Sequence, residues 1–181
     1  MTEIQFTVLP CWLGKALIAA TSKGICAIAL DGSAEVLTAN LKTNFPDASL
    51  IPGDGELERS IQPIIEFIEH PQPQVPFPLD MQGTDFQKTV WRALLAISPG
   101  ETITYTELAQ RMGKPNSVRA VANACGKNRI AIAIPCHRVV GSDGSLRGYR
   151  WGESRKQLLL EKEQQNSQNP HQLNLLDLSA Q

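Results

Sequence analysis

The chain has no apolar run long enough to cross a membrane. Its apolar stretches, such as Ile130–Pro135, fall far short of the ~20 residues that a spanning helix needs. The amino terminus also lacks the pattern of a secretory signal, because Glu3 stands where such a signal carries positive charge and Lys15 interrupts the apolar stretch nearby. We therefore expect a cytosolic protein without a membrane partner.

Cysteine is scarce, and no two cysteines form a C-x-x-C pair. The four residues are Cys11, Cys26, Cys125 and Cys136, and none of the three histidines stands at the spacing of a zinc ligand. A reducing compartment keeps such thiols free. The sequence thus predicts no disulfide, no metal site and no cofactor. Cys26 and Cys125 fall on apolar stripes and are predicted to be core residues.

Each half of the chain has few charges of one sign. Residues 1–82 hold 4 Lys and Arg against 10 Asp and Glu, whereas residues 83–163 hold 13 against 7, so the overall net charge of −1 hides halves of −6 and +6. This split predicts an acidic domain followed by a domain that binds a polyanion. The alternative is a chance distribution of solvated charges. With 42% hydrophobic residues among 181, the chain can form one core or two small ones.

The first half predicts two strands followed by two helices. Apolar stretches at Leu17–Ala20 and Ile25–Leu30 flank a turn-like segment, which is typical of a hairpin. Ser33 can cap a helix with the apolar stripe Val36, Leu37, Leu41 and Phe45. A second helix is predicted from Leu57 to Ile68. Prolines in residues 71–78 mark a linker with at most an edge strand near Phe77–Met81, so we place a domain boundary after residue 82.

The second half predicts a helix-turn-helix. Capping boxes at Thr84–Gln87 and Thr104–Glu107 each start a helix. After the turn at Lys114–Asn116, another helix is predicted at Ser117–Cys125, which completes the layout. An ordinary helical hairpin is the alternative, but the surrounding positive charge favours DNA. The turn signal Ser142–Gly144 predicts the hairpin of a wing.

The second helix of this pair can approach a nucleic-acid groove closely. Its polar side is rich in alanine, including Ala120, and Arg119 and Asn123 are its only long polar residues. Its amino terminus, near Asn116 and Ser117, can bind a phosphate. A last helix is predicted at residues 151–163, packed through Leu158, Leu159 and Leu160, and residues 164–181 are predicted to form a flexible tail.

Cys136 and His137 are the candidate pair for nucleophilic chemistry. A thiol near its ordinary pKa is only a few per cent ionised at neutral pH, so a reactive cysteine needs a base or a positive field. The sequence Cys136-His137-Arg138 offers both. Adjacent side chains often point apart, so a buried structural cysteine is the alternative.

The string Pro135-Cys136-His137-Arg138-Val139-Val140 resembles the signature of the 6-O-methylguanine-DNA methyltransferases, a family of suicide DNA-repair proteins. Further segments recur in that family in the same order: Gly83–Gln87 with Val90–Trp91, Gly100–Thr102 with Tyr105, Val118–Ala122, Asn128 and Gly148–Gly152. The resemblance is strong over residues 84–163, looser before them, and points to the bacterial branch. It implies an α+β fold, with a small ribonuclease H-like α/β domain over residues 1–82 and a winged helix-turn-helix domain over residues 83–163.

The resemblance also implies the reaction. A monomer would bind double-stranded DNA and flip out an O6-alkylguanine, or an O4-alkylthymine. It would transfer the alkyl group irreversibly to Cys136, one group per protein molecule, without a cofactor. His137 would act on the thiol through a water, and Glu163 would orient the imidazole. By sequence alone Glu161 is a rival for that role; Glu163 fits the family's Leu-Leu-x-x-Glu ending.

The remaining implied roles concern the loop, the base and the DNA. Asn128 would brace the active-site turn, and Tyr105 would offer its hydroxyl to the flipped guanine. Arg119 would insert where the base has left, with Asn116, Ser117, Ala120 and Asn123 also facing DNA. The pocket would be lined by Tyr105, Cys125, Val139, Tyr149, Arg150 and Trp151.

Pocket size is a further expectation. Ala131 stands where some relatives carry a proline, and Trp151 stands where they carry a smaller residue, so we predict a narrow pocket that reacts poorly with 6-O-benzylguanine. The alternative is that Trp151 is a core aromatic.

Three other protein classes compete with this interpretation. A pure helix-turn-helix regulator leaves Cys136, His137 and Glu163 unexplained. An alkyltransferase-like protein binds lesions but replaces the acceptor cysteine, which is present here. A cysteine hydrolase usually has its Cys and His far apart in sequence.

Overall fold

Three consecutive strands form an antiparallel meander in this computed structural model, which describes residues 2–53 and 55–168. They are β1 (Glu3–Cys11), β2 (Gly14–Thr21) and β3 (Gly24–Asp31), and β4 (Ser49–Pro52) adds in parallel to β1, which gives the order β3-β2-β1-β4. β2 and β3 contain the two predicted strands. β1 and β4 were not predicted, because polar residues interrupt β1 and β4 has only four residues.

Helix α1 (Ala34–Asn44) covers one face of this sheet. Its cap is the predicted one, since Ser33 Oγ accepts from Val36 N at 3.3 Å. Leu37 and Leu41 pack against β-strand residues such as Leu17. Val36 does not join them: it is 44% exposed, so its predicted place on the buried stripe is wrong.

The predicted second helix is broken into two. Helix α2 (Gly55–Ser60) ends before Ile61, and α3 (Gln62–Glu69) starts anew with Pro63 in its first turn. Proline has no N–H for a continuous helix and is accommodated where a helix begins. The edge strand predicted near Phe77–Met81 is reduced to a single bridge between Leu79 and Ile25 on β3.

The second half is mainly helical. Helices α4 (Asp85–Leu94) and α5 (Tyr105–Arg111) each start with a complete capping box, as the sequence predicts. A 3₁₀ turn, Pro115–Ser117, links α5 to α6 (Val118–Gly126), and the chain ends its described part in α7 (Glu153–Gln168). The fold as a whole is mixed α+β.

Three expectations for this half need correction. β5 (Ile103–Thr104) pairs in parallel with β6 (Val139–Val140), so the turn at Ser142–Gly144 does not connect the two strands of a hairpin. Helix α7 continues beyond residue 163, so residues 164–168 of the predicted tail are helical, and residues 169–181 lie outside the described part. Leu158 is 45% exposed, whereas Leu159 and Leu160 are buried.

The larger hydrophobic cluster draws residues from both sides of the predicted boundary. It joins Ile18 and Ile28 of the sheet to Leu94 of α4 and Leu159 of α7. The division at residue 82 stays a prediction, but the two segments share this core. No helix within residues 2–53 and 55–168 is long and apolar enough to cross a membrane.

Candidate active site and DNA-facing surface

The open edge of β3 holds the loop that leads to Cys136. Ile28 N donates to Arg129 O at 3.0 Å, and Ala131 N donates to Ile28 O at 2.8 Å. Beyond this contact Ile132 has a φ of +67°, which is rare for a β-branched residue, and Ala133 N donates to Ala131 O at 2.6 Å across it. The backbone is thus strained a few residues before the candidate nucleophile. Nothing in the sequence pattern indicated this strain.

Asn128 ties the loop to the thiol. Its side chain is fully buried, and its Nδ2 donates to Ile134 O at 2.9 Å and to Cys136 Sγ at 3.2 Å. Its Oδ1 accepts from Ile130 N at 2.9 Å. One amide therefore connects both ends of the strained segment to the sulfur atom.

His137 lies in a buried network with Glu163 and Arg138. His137 Nε2 is 2.8 Å from Glu163 Oε1. Arg138 donates to the same carboxylate through Nε at 3.0 and 3.2 Å and through Nη2 at 2.8 Å. Glu161, the rival by sequence, instead accepts from Gln157 on the exposed side of α7. The sequence offered Arg138 only as a source of positive charge beside the thiol. Its burial against Glu163 was not predicted, because arginine is rarely buried.

The protonation states of this network follow from its contacts. Burial alone would raise the pKa of Glu163, but the hydrogen bonds from His137 and Arg138 outweigh burial and lower it to about 2. Burial lowers the pKa of His137, although Glu163 opposes this change. A neutral imidazole that donates from Nε2 to a carboxylate leaves Nδ1 as a proton acceptor. Among the described residues, none forms a hydrogen bond with His137 Nδ1.

Cys136 lies at the start of the 3₁₀ turn Cys136–Arg138 and is 5% exposed. Burial raises the pKa of its thiol, whereas the hydrogen bond from Asn128 and the charge of Lys156 lower it. Lys156 is itself fully buried, and its Nζ donates to Val139 O at 2.6 Å. Sequence analysis missed Lys156, because a lysine on a polar helix normally faces solvent.

Three predicted pocket residues lie around the thiol. Burial raises the pKa of Tyr105 to about 12, and the nearby Cys125 and Cys136 thiols add to the shift, so its hydroxyl stays protonated. Cys125 is buried in the large core cluster, as predicted, and Cys26 is buried in the smaller one. Tyr149 packs edge-on against His137, and its hydroxyl has no hydrogen-bond partner within the described chain.

The predicted DNA-facing residues lie on the exposed side of α6 and the turn before it. Asn116, Arg119, Ala120 and Asn123 are exposed, and Ser117 is partly buried without capping the helix through its side chain. An open depression beside them is lined by Tyr105, Asn123, Lys127 and Arg147, among others. Tyr105, which is half-buried, is thus part of the wall of this depression.

Arg150 and Trp151 point to a different part of the molecule. Arg150 Nη2 donates to Asn44 Oδ1 at 2.9 Å, and Trp151, which is 8% exposed, packs against Tyr149. Both line a cavity under α1 whose lining does not include Cys136. The pocket role of Trp151 stays a prediction, and this burial favours the alternative of a core aromatic.

The chain is similar to known proteins over most of its length. The family model for the DNA binding domain of 6-O-methylguanine DNA methyltransferase matches residues 85–165. The bifunctional transcriptional activator/DNA repair enzyme Ada of Escherichia coli is 44% identical over 91% of this chain and 47% of its own length. The inducible methylated-DNA–protein-cysteine methyltransferase of Bacillus subtilis is 38% identical over 83% of this chain and 84% of its own length. The chain thus spans about half of Ada and most of the Bacillus protein.

Solved structures show the same fold. The O6-methylguanine methyltransferase of Mycobacterium tuberculosis superposes with a TM-score of 0.74 at 32% identity, over 96% of this chain and 99% of that chain. A structure of the M. tuberculosis protein OGT in complex with DNA has a TM-score of 0.72 at 32% identity, over 90% and 93% of the two chains.

Proposed function

Because the chain belongs to the 6-O-methylguanine-DNA methyltransferase family, we propose that it repairs DNA by direct reversal, as a single-turnover methylated-DNA–protein-cysteine methyltransferase. The substrate is O6-alkylguanine in double-stranded DNA, with O4-alkylthymine as a second substrate. The observation that carries the proposal is the contact of Cys136 Sγ with Asn128 Nδ2 at 3.2 Å, beside the His137–Glu163–Arg138 network.

The reaction is one displacement at the alkyl carbon. The Cys136 thiolate forms a C–S bond while the bond from carbon to guanine O6 breaks, and the bond's electron pair goes to the base. The thiol proton goes through a water to His137 Nδ1, which is free to accept it. The resulting thioether is stable, so each molecule acts once.

The buried carboxylate supports the base. Glu163 holds His137 Nε2 at 2.8 Å, which orients the ring and stabilises the imidazolium that forms. Arg138 keeps Glu163 ionised by three hydrogen-bond contacts. Tyr105, whose hydroxyl stays protonated, can give a proton to the departing guanine.

DNA binding is assigned to α6 and its surroundings. The alkylated oxygen of a stacked guanine lies inside the duplex, so the base must be flipped out, which costs a few kcal/mol. The exposed Arg119 can fill the space that the base leaves. The depression beside Tyr105, with Lys127 and Arg147 on its rim, offers the base a path and positive charge for the phosphates.

The finer structural descriptions belong to the same proposal. They comprise a ribonuclease H-like first domain, a winged helix-turn-helix second domain divided after residue 82, a monomeric state and a cytosolic location. The pairing of α5 with α6 supports the helix-turn-helix. The proposed wing does not rest on the hairpin expected from the sequence, because β5 pairs in parallel with β6.

Intact mass after mixing with an oligonucleotide that contains O6-methylguanine tests the proposal. We expect the mass of one methyl group on the Cys136 peptide and no turnover beyond one per protein molecule. Cys136→Ala should gain no mass, whereas Cys11→Ala, a half-buried cysteine away from the network, should react normally.

The rival classes give different outcomes in the same experiment. Lesion binding without mass gain indicates an alkyltransferase-like protein, and product beyond one equivalent indicates a hydrolase. Transfer that persists in Cys136→Ala would contradict the proposal.

A further inference from the structure

Three arginines surround the cavity under α1, and Cys136 is not among the described residues that line it. The cavity has a volume of about 310 Å³, and Arg129, Arg150 and Arg155 line it together with Asn40 and Asn44 of α1. All three arginines come from the second half of the chain, whereas the helix and strands that complete the cavity come from the acidic first half. Arg150 is also a predicted pocket residue, but neither the acceptor chemistry nor the helix-turn-helix uses Arg129 or Arg155.

Among the described residues that line the cavity, the three positive charges of the cluster face one carboxylate. Asp31 is the only acidic residue in the lining, and its Oδ1 already accepts from Ser33 N at 2.9 Å. Within residues 2–53 and 55–168, no ion pair involves Arg129, Arg150 or Arg155. Three guanidinium groups around one cavity therefore leave a local excess of positive charge.

Neutral groups hold two of the arginines and leave the third available. Arg150 donates to Asn44 Oδ1 at 2.9 Å and to Asn128 O at 3.3 Å. Arg155 donates to the carbonyls of Leu13 at 2.9 Å and Trp151 at 3.0 Å. Arg129 lies over the ring of Phe45 at 4.8 Å, and in the described part of the chain no group forms a hydrogen bond with its guanidinium.

The electrostatics agree with this geometry. Burial lowers the pKa of Arg129, and burial followed by the neighbouring charge of Arg129 lowers the pKa of Arg150. Both groups would gain from a bound negative charge, because an anion screens their repulsion and replaces lost hydration.

We propose that the cavity between α1 and the Arg129–Arg155 cluster is a binding site for a phosphate-class oxyanion. Arginine forks match the oxygen geometry of phosphate, and the amides of Asn40 and Asn44 can add neutral donors. The bound oxyanion would be a small free anion, such as phosphate or a phosphate monoester, or a phosphate group of the DNA backbone.

An anion bound at this site would affect the loop that carries Cys136 through one residue, Asn128. The carbonyl of Asn128 accepts from Arg150, and the side chain of the same Asn128 donates to Cys136 Sγ. An anion that orders Arg150 thus also steadies the loop that holds the thiol.

The first experiment measures binding of inorganic phosphate to the full chain by calorimetry and by thermal unfolding, at constant ionic strength against chloride. We expect a phosphate-dependent rise in melting temperature. Arg129→Gln should weaken phosphate binding about tenfold, since one charged hydrogen-bond donor is removed. Arg92→Gln removes the same charge from the exposed side of α4 and should bind phosphate normally.

The second experiment identifies the source of the oxyanion. If it is a DNA phosphate, Arg129→Gln lowers the slope of log K against log salt for duplex binding by about 0.9, and phosphate competes with DNA. If it is a free anion, Arg129→Gln and Arg92→Gln bind DNA alike while differing in phosphate binding. Arg129→Lys, which keeps the charge but loses the fork, provides a variant for the case that Arg129→Gln does not fold.

The proposal is overturned if the variants at position 129 match Arg92→Gln in both phosphate binding and salt slope. Transfer of one methyl group to Cys136 is measured on the same samples. If methyl transfer to Cys136 persists while phosphate binding is absent, the anion-site proposal is wrong and the proposed acceptor function still holds.

Discussion

The acceptor site and the DNA-facing helix are built in opposite ways. Asn128, His137 and Glu163 are almost completely buried. His137 and Glu163 come from segments far apart in the chain, and Asn128 braces the loop that carries Cys136. Arg119 and Asn123, by contrast, are exposed on one helix. The proposed chemistry thus depends on the tertiary fold, whereas the proposed DNA contact depends on a single helical surface. Substitutions in the two regions should therefore separate stability and reactivity from binding.

The largest effect is expected at Glu163. Glu163→Gln leaves the buried Arg138 charge without its counter-ion, which should lower the free energy of unfolding by about 3–5 kcal/mol and strongly slow methyl transfer. Glu161→Gln, on the exposed side of the same helix, should stay within about 0.5 kcal/mol of the natural protein. Urea unfolding and single-turnover kinetics measure both. Equal effects of the two variants would contradict the buried network's role.

The same network predicts acid sensitivity. Glu163 has a pKa of about 2 in the folded protein against its usual 4.5, so the unfolded chain binds more protons between these values. The free energy of unfolding should therefore fall as pH decreases from about 4.5 towards 2. The pKa of His137 is also lowered in the folded protein, so the unfolded chain takes up its proton first as the pH falls. The free energy of unfolding should therefore already start to decrease below a pH of about 6.5. Glu163→Gln should flatten the acid part of this profile, and an unchanged profile would refute the assignment.

A smaller loss is expected at Asn128. Asn128→Ala removes the donor to Cys136 and leaves Ile130 N buried without this partner, at a cost of about 1–3 kcal/mol. Ile134 O loses the same donor but still accepts from Cys136 N at 2.8 Å. Reaction should slow even with the free modified base, because the thiol itself is released. Asn123→Ala on the exposed face of α6 is the matched control. Urea unfolding and the rate of reaction with the free modified base are measured for both variants. A normal reaction rate of Asn128→Ala would contradict the bracing role.

Arg119 should show the reverse pattern. Arg119→Ala is expected to change the free energy of unfolding by less than about 0.5 kcal/mol, because the side chain is exposed. Repair of duplex DNA should slow about tenfold, which corresponds to about 1.4 kcal/mol of the cost of extruding the base. Reaction with free 6-O-methylguanine should not change. Equal losses on both substrates, measured against Arg92→Ala, would remove the intercalation role.

The smallest kinetic effect is expected at Trp151. Its ring is buried beside Tyr149 and lines the cavity under α1, so Trp151→Phe should leave the rate of inactivation by 6-O-benzylguanine unchanged. The variant should nevertheless lose some stability, since it leaves unfilled volume in the core. Faster inactivation of Trp151→Phe would restore the narrow-pocket prediction.

Local patterns alone predicted much of the molecule. Ser33, Thr84 and Thr104 cap the helices that they were expected to cap, because a cap is a contact over three residues and needs no tertiary information. The break at Ile61 was missed although Pro63 was visible, since its apolar neighbours keep helical spacing on both sides of the break.

The sequence by itself determined the α5–α6 pair, the charge of the second half and the order of the signature residues, because each depends on neighbours in the chain. Only the tertiary structure decided that Arg138 and Lys156 are buried, that Ile132 is strained and that Arg150 donates to Asn44 at the end of α1. These features arise where segments far apart in sequence share one core. Burial and charge pairing across such distances leave no periodic signal in the chain, so they could be read only from the folded protein.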